Sequence, residues 1–121
     1  MSRVGSKPLI VFPPGVVMAK LITILWRDIP SQVVAKRGRQ TLKTKLSARF
    51  QIAIDRAAMR AGKGGSSAYI DEWRRESRVF DDSLETEMAT EVARLEASFS
   101  DQQLEALVKS KGKASLAELD G

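Results

Sequence analysis

The stretch from Leu42 to Gly62 constrains this chain more than any other. Leu42, Leu46, Phe50, Ala53, Ala57 and Ala61 recur at steps of three and four, and Ile54 and Ala58 widen the stripe. The opposite side carries Lys43, Lys45, Arg49, Arg56 and Arg60. Gly62 supplies a stop, and cationic Arg60 and Lys63 suit the negative end of a helix dipole. This spacing predicts one amphipathic helix over 41–61, against which the rest of the chain must pack.

The 121 residues amount to one small domain, and two Trp, one Tyr and four Phe leave the core mainly to aliphatic side chains. The chain contains neither Cys nor His. Disulfides, thiolate nucleophiles, imidazole bases and the usual zinc ligand sets are thereby excluded. Carboxylate, Lys, Tyr or Ser chemistry remains, with no base or apolar pocket visible to activate it. The expectation is a protein that is not an enzyme, with no catalytic residues, metal or cofactor, and the missing Cys fits a cytoplasmic address.

Charge is divided unevenly. Residues 1–63 hold thirteen Lys/Arg against Asp28 and Asp55, whereas residues 64–121 hold seven basic against thirteen acidic residues. Two readings follow: a basic face for phosphate or an acidic partner, or a basic half lying against an acidic half within one domain.

Residues 1–17, MSRVGSKPLIVFPPGVV, are interrupted by Pro8, Pro13 and Pro14 and lack a signal-type cleavage site. They also fall short of the roughly 20 uninterrupted apolar residues of a membrane span. Regular patterning starts at Met18, so 1–17 is expected to be an extraneous or flexible extension, 18–99 the domain, and 100–121 a C-terminal helix and tail. Leu21 to Trp26 reads as a strand, Asp28 to Ser31 as a turn, and Gln32 to Lys36 as a returning strand. The hairpin tip places Trp26, Arg27, Asp28 and Pro30 together.

Downstream, Gly62 to Ser67 reads as a connector, since it follows a helix and lacks the spacing of a phosphate-binding loop. A second helix is expected from Ala68 to Ser77, with Tyr69, Trp73, Arg74 and Arg75 combining aromatic and cationic side chains as interface hot spots do. The bland alternative is that Trp73 anchors the core and the arginines are solvated. Asp82 with Glu85 marks the start of a third helix, with a stripe of Leu84, Met88, Val92, Leu95 and Phe99; Ser100 with Gln103 marks a fourth. Ser115 and Glu118 mark one further turn. Asp28 and Asp55, the carboxylates considered for catalysis, read equally well as a turn former and an intrahelical partner. The fold class is therefore α+β: a short N-terminal β-hairpin packed on a long amphipathic helix, with two to three further helices.

ITILWRDIPSQV at 22–33, RFQIAIDRAAMRAG at 49–62 and YIDEWRR at 69–75 together resemble the small bacterial domain family labelled "virulence factor", over about residues 18–99. The resemblance implies a module occurring both free and inside larger virulence-associated proteins. Small members are associated with neighbouring genes for folate and corrinoid one-carbon enzymes. The implied role is an accessory or adaptor protein that binds a cytosolic protein partner, through Trp26, Arg27, Asp28, Pro30, Tyr69, Trp73, Arg74 and Arg75. The alternative is a nucleic-acid binder using a basic helix face formed by Lys36, Arg37, Arg39, Lys43, Lys45 and Arg49. Against it, aromatics are not interleaved and no nucleic-acid-binding motif is present.

Overall fold

The computed structural model describes residues 18–62 and 69–114. The expectations for residues 1–17, for 63–68 and for the Ser115–Glu118 turn lie outside them. Among the described residues four strands and three helices succeed one another as β1 (Ala19–Trp26), β2 (Ile29–Arg37), β3 (Gln40–Lys45), α1 (Ala48–Arg60), β4 (Trp73–Phe80), α2 (Leu84–Ser98) and α3 (Asp101–Lys109). The sheet is antiparallel in the order β3-β2-β1-β4. The first three strands form a meander, and β4 closes the free side of β1 after the chain has passed through α1. The α+β class and the N-terminal hairpin are as expected.

Two expected helices are in part strands. The 41–61 segment divides into β3 and a shorter α1. Leu42 and Leu46 are four apart, a spacing that serves a strand of period two as well as a helix of period 3.6. The tight turn at Gly38 (φ +58°) and β-branched Thr41 and Thr44 favour a strand paired with β2, where Leu42 lies opposite Ala35. Ser47 then caps α1. In the second case, residues 73–80 are the edge strand β4. Its side chains alternate: Arg74, Glu76, Arg78 and Phe80 point to one face, Trp73, Arg75, Ser77 and Val79 to the other. The dense charge of an edge strand imitates the polar side of a helix.

α2 starts one residue later than expected. Its N-cap is Ser83, whose hydroxyl accepts from Thr86 N at 3.0 Å, while Asp82 accepts from Ser83 N. The Ser100–Gln103 capping box is present with both of its hydrogen bonds, at 2.8 and 3.1 Å.

The core lies on one side of the sheet. Leu21, Val33 and Ala35 meet Phe50, Ala53, Ile54 and Ala57 of α1, Leu84, Met88 and Leu95 of α2, and Leu104, Leu107 and Val108 of α3. α1 and α3 run parallel, because Arg49 meets Asp101 at 3.2 Å, Arg56 meets Glu105 at 2.7 Å, and Arg60 Nε donates to the Lys109 carbonyl at 3.4 Å. α3 is thus built into the same core as the meander. No helix among the described residues is long and apolar enough to cross a membrane.

The turn after α3 closes on Trp26. Gly112 has φ +85°, and a Cβ there would stand 3.1 Å from Trp26 Cζ3 and 3.3 Å from Arg27 Cβ. A left-handed conformation costs an L-residue about 1–2 kcal/mol, and here the indole cannot retreat because it is fully enclosed. Gly38 has a similar φ with nothing within 4 Å. Gly112→Ala is therefore expected to destabilise the protein by about 2–3 kcal/mol and Gly38→Ala by about 1, as read from urea unfolding midpoints.

Candidate functional site

The residues expected to face a partner at the hairpin tip are instead largely engaged with one another. Arg27 occupies the two-residue turn at φ +53°, uncommon without a glycine, and every polar contact around it fixes that conformation. Arg27 N donates to the Glu72 carbonyl at 3.0 Å, its guanidinium Nη1 to the Lys111 carbonyl at 2.9 Å, and Arg74 Nε donates to the Arg27 carbonyl at 2.7 Å. Arg27 Nε lies 3.2 Å from a Glu72 carboxylate oxygen as an ion pair without a hydrogen bond. Asp28 accepts from Arg74 Nη2 at 2.9 Å with one oxygen and from Ala114 N at 2.7 Å with the other.

Trp26 is fully buried, donates its indole N–H to the Tyr69 carbonyl at 2.9 Å and stacks on the Tyr69 ring at 5.9 Å. Trp73 meets Tyr69 edge-on at 5.8 Å. Pro30 is buried opposite Leu25. These seven residues, Trp26, Arg27, Asp28, Pro30, Tyr69, Trp73 and Arg74, therefore hold the tip, the start of β4 and the turn after α3 together. Arg75 stands apart from these contacts, exposed and opposite Ile24 on β1.

The six basic residues of the alternative reading are also dispersed, and they do not form a helix face. Arg37 donates to the Asp82 carbonyl at 2.6 Å, and Arg39 lies exposed in the β2–β3 turn. Arg49 joins α1 to the α2–α3 corner, donating to the carbonyls of Phe99 at 2.5 Å and Glu96 at 2.7 Å. Lys36, Lys43 and Lys45 remain, and alternation puts all three on the sheet face turned away from the helices.

The strand register completes that face. Across β3, β2, β1 and β4 it reads Lys45–Gln32–Ile24–Arg75, then Lys43–Val34–Ile22–Ser77, then Thr41–Lys36–Lys20–Val79. These twelve positions hold Lys20, Lys36, Lys43, Lys45 and Arg75, with no acidic residue and no aromatic ring. All five cations are exposed, and none has an ion pair or side-chain hydrogen bond among the described residues. Lys20 and Lys36 are direct cross-strand partners. Like charges so placed repel, with no acid at these twelve positions to offset them. Ile22 and Val34 in the middle are buried yet lie outside the continuous core, and Val79 is 53% exposed.

Lys20, Ile22, Ile24 and Val79 were not singled out from sequence. The signal was the alternation of Lys20, Ile22 and Ile24 with Leu21, Thr23 and Leu25, hidden because both sets are mostly apolar. Arg78, not among the expected contact residues, points toward the helices and meets Glu87 at 2.6 Å and Glu91 at 3.4 Å.

Glu91 is 5% exposed and ionised: hydrogen bonds from Arg94 and then Arg78 hold its carboxyl below the usual carboxylate range, against the effect of burial. At Glu96 burial acts to raise the carboxyl, and donation from Ser47 N and Oγ together with Arg49 outweighs it. A carboxyl depressed in the folded state contributes stability that is complete above its unfolded pKa and is lost as pH falls through the folded one. Stability is therefore expected to decline as pH drops below about 4.5, the ordinary value for Glu, and Glu91→Gln should flatten that decline while lowering stability at neutral pH. Denaturant midpoints measured between neutral and acidic pH check both.

No group of three or more Asp or Glu among the described residues is placed to hold a metal ion. Comparison with curated proteins and with solved structures returned no match. A family model described as "Virulence factor" matches residues 24–108, from within β1 nearly to the end of α3. The match covers most of the described fold, and on it the chain belongs to the virulence factor family.

Proposed function

We propose that this protein is a non-enzymatic accessory or adaptor protein that takes an acidic protein partner on the helix-free face of its sheet. One observation carries the reading: five exposed cations surround an apolar centre with no acid among its twelve described positions, and two of them oppose each other directly. An apolar middle inside a charged rim is the anatomy of a protein interface. An acidic partner relieves the Lys20–Lys36 repulsion and steers association at long range. Arg75 is the residue of the hairpin-and-aromatic set that belongs to this surface. Following the family resemblance, cytosolic folate and corrinoid one-carbon enzymes are the first partners to test.

Nucleic acid is the second reading, favoured by the same charge. It is less well supported, because sheets that read single strands stack bases on aromatic side chains; these twelve positions have none, and Trp73 in the next row is packed edge-on against Tyr69.

The test is capture on the full chain from nuclease-treated native cytosol, compared with Lys36→Glu/Lys43→Glu and with Lys109→Glu on α3 as a control. The double variant should lose a stoichiometric protein partner that the control retains. It should fold with unchanged or slightly higher stability, since a carboxylate at position 36, opposite Lys20, exchanges repulsion for attraction worth about 0.2–1 kcal/mol. Retention of the partner by the double variant overturns the assignment of the face. Capture that vanishes with nuclease and, in its absence, weakens with a log–log salt slope of about −4 establishes the nucleic-acid reading instead.

A further inference from the structure

The helix-bearing side of the sheet is covered unevenly. α2 lies mainly along β2 and β3, and a cavity of about 380 Å³ opens between β1, β4 and the C-terminal half of α2. That is near the small end of the range for sites that take small molecules. Its apolar wall is made by Leu21, Leu25, Leu95 and Phe99. Thr23 lines it as well, only 9% exposed, and its hydroxyl has no hydrogen-bond partner among the described residues. That hydroxyl is open to the cavity and not sealed in the core, so a guest or water there can meet it.

At the mouth, two guanidinium groups are held in fixed orientation. Arg94 gives Nε and Nη2 to Glu91 at 3.1 and 2.6 Å, and Arg78 Nη2 donates to Glu91 at 3.4 Å and lies 2.6 Å from Glu87 as an ion pair. Arg94 Nη1 and Arg78 Nη1 and Nε are left without a protein acceptor among the described residues. Thr23 pairs across the strands with Glu76, which lines the cavity together with Glu91 and whose carboxylate is taken up by Arg74 at 2.6 Å; Arg78 follows one row on, opposite Leu21. Planar forks already anchored by carboxylates recognise a further carboxylate with little additional ordering.

We propose that this cavity is a binding site for a small amphipathic carboxylate. Its apolar body lies against Leu21, Leu25, Leu95 and Phe99. Its carboxylate accepts from Arg78 and Arg94 at the mouth and from the Thr23 hydroxyl. The site is on the opposite side of the sheet from the proposed partner surface and stands independently of it.

The test uses the full chain with labelled methyl groups, titrated with octanoate and with octanamide and followed by two-dimensional NMR. Octanoate should saturate, with shifts concentrated at the methyls of Leu21, Thr23, Leu25 and Leu95. Thr23→Val keeps the shape of the side chain and should weaken octanoate about fivefold, the loss of one hydrogen bond. Arg94→Gln, at an exposed position, should weaken it about tenfold while changing octanamide less than about twofold, since bonds to charged groups are the stronger ones. Shifts that fail to saturate or spread over the surface, equal binding of acid and amide, or unaltered affinity in Thr23→Val each overturn the proposal. The spectrum of each variant without ligand reports whether it has folded.

Discussion

One carboxylate ties the ends of this fold together. Asp28 accepts from Arg74 on β4 with one oxygen and from the Ala114 amide beyond α3 with the other. The residue before it is held in a left-handed turn by groups from those same two segments. Because the turn precedes β2, its geometry sets the register of the meander. Because it grips β4 and the chain after α3, it also decides where the late elements dock. Trp26 beneath it is sealed by Tyr69 on one side and Gly112 on another. A residue set that resembles an exposed aromatic–arginine hot spot thus works as an internal clasp. Hot spots and clasps draw on the same side chains, since both need large rigid area beside a charge that can be paired.

What could be read from residues follows what local physics determines. The hairpin, the Ser100 capping box and the apolar stripe of α2 are local, and each was legible. β3 and β4 were not, because their identity is decided by pairing. Leu42 and Leu46 fit both periods, and only the position of β2 chooses between them. In WRRESRVF most of the alternating positions are polar, so the pattern distinguishing two faces is absent; the strand exists because β1 has a side left to pair. The candidate surface was half legible for a related reason. Lys36, Lys43 and Lys45 were noticed as charge, but a helix would have scattered them, whereas strand register brings them beside Lys20 and Arg75.

The charge division between the halves of the chain has two outcomes in one molecule. Arg49 and Arg56 reach across to Glu96, Asp101 and Glu105, so part of the basic half is neutralised internally by the acidic half. The lysines of the meander are not, because the acidic helices lie behind the sheet. A single layer of strands separates compensated from uncompensated charge, and net charge alone could not have distinguished the sides.

The placement of β4 bears on how the chain comes to be folded. β1, β2 and β3 are contiguous and can pair as soon as residues 19–45 are free to do so, whereas the partner of β1 on its other side lies beyond α1. Until that partner returns, β1 presents an unpaired row of amides and carbonyls next to the most apolar stretch of the domain. Such an edge is where chains add to one another, and closing it requires a long-range contact of the kind that slows folding. Late strand insertion is therefore the step at which this small domain is most exposed to misassembly, and the Asp28–Arg74 contact adds to the β1 pairing that fastens the strand once it arrives.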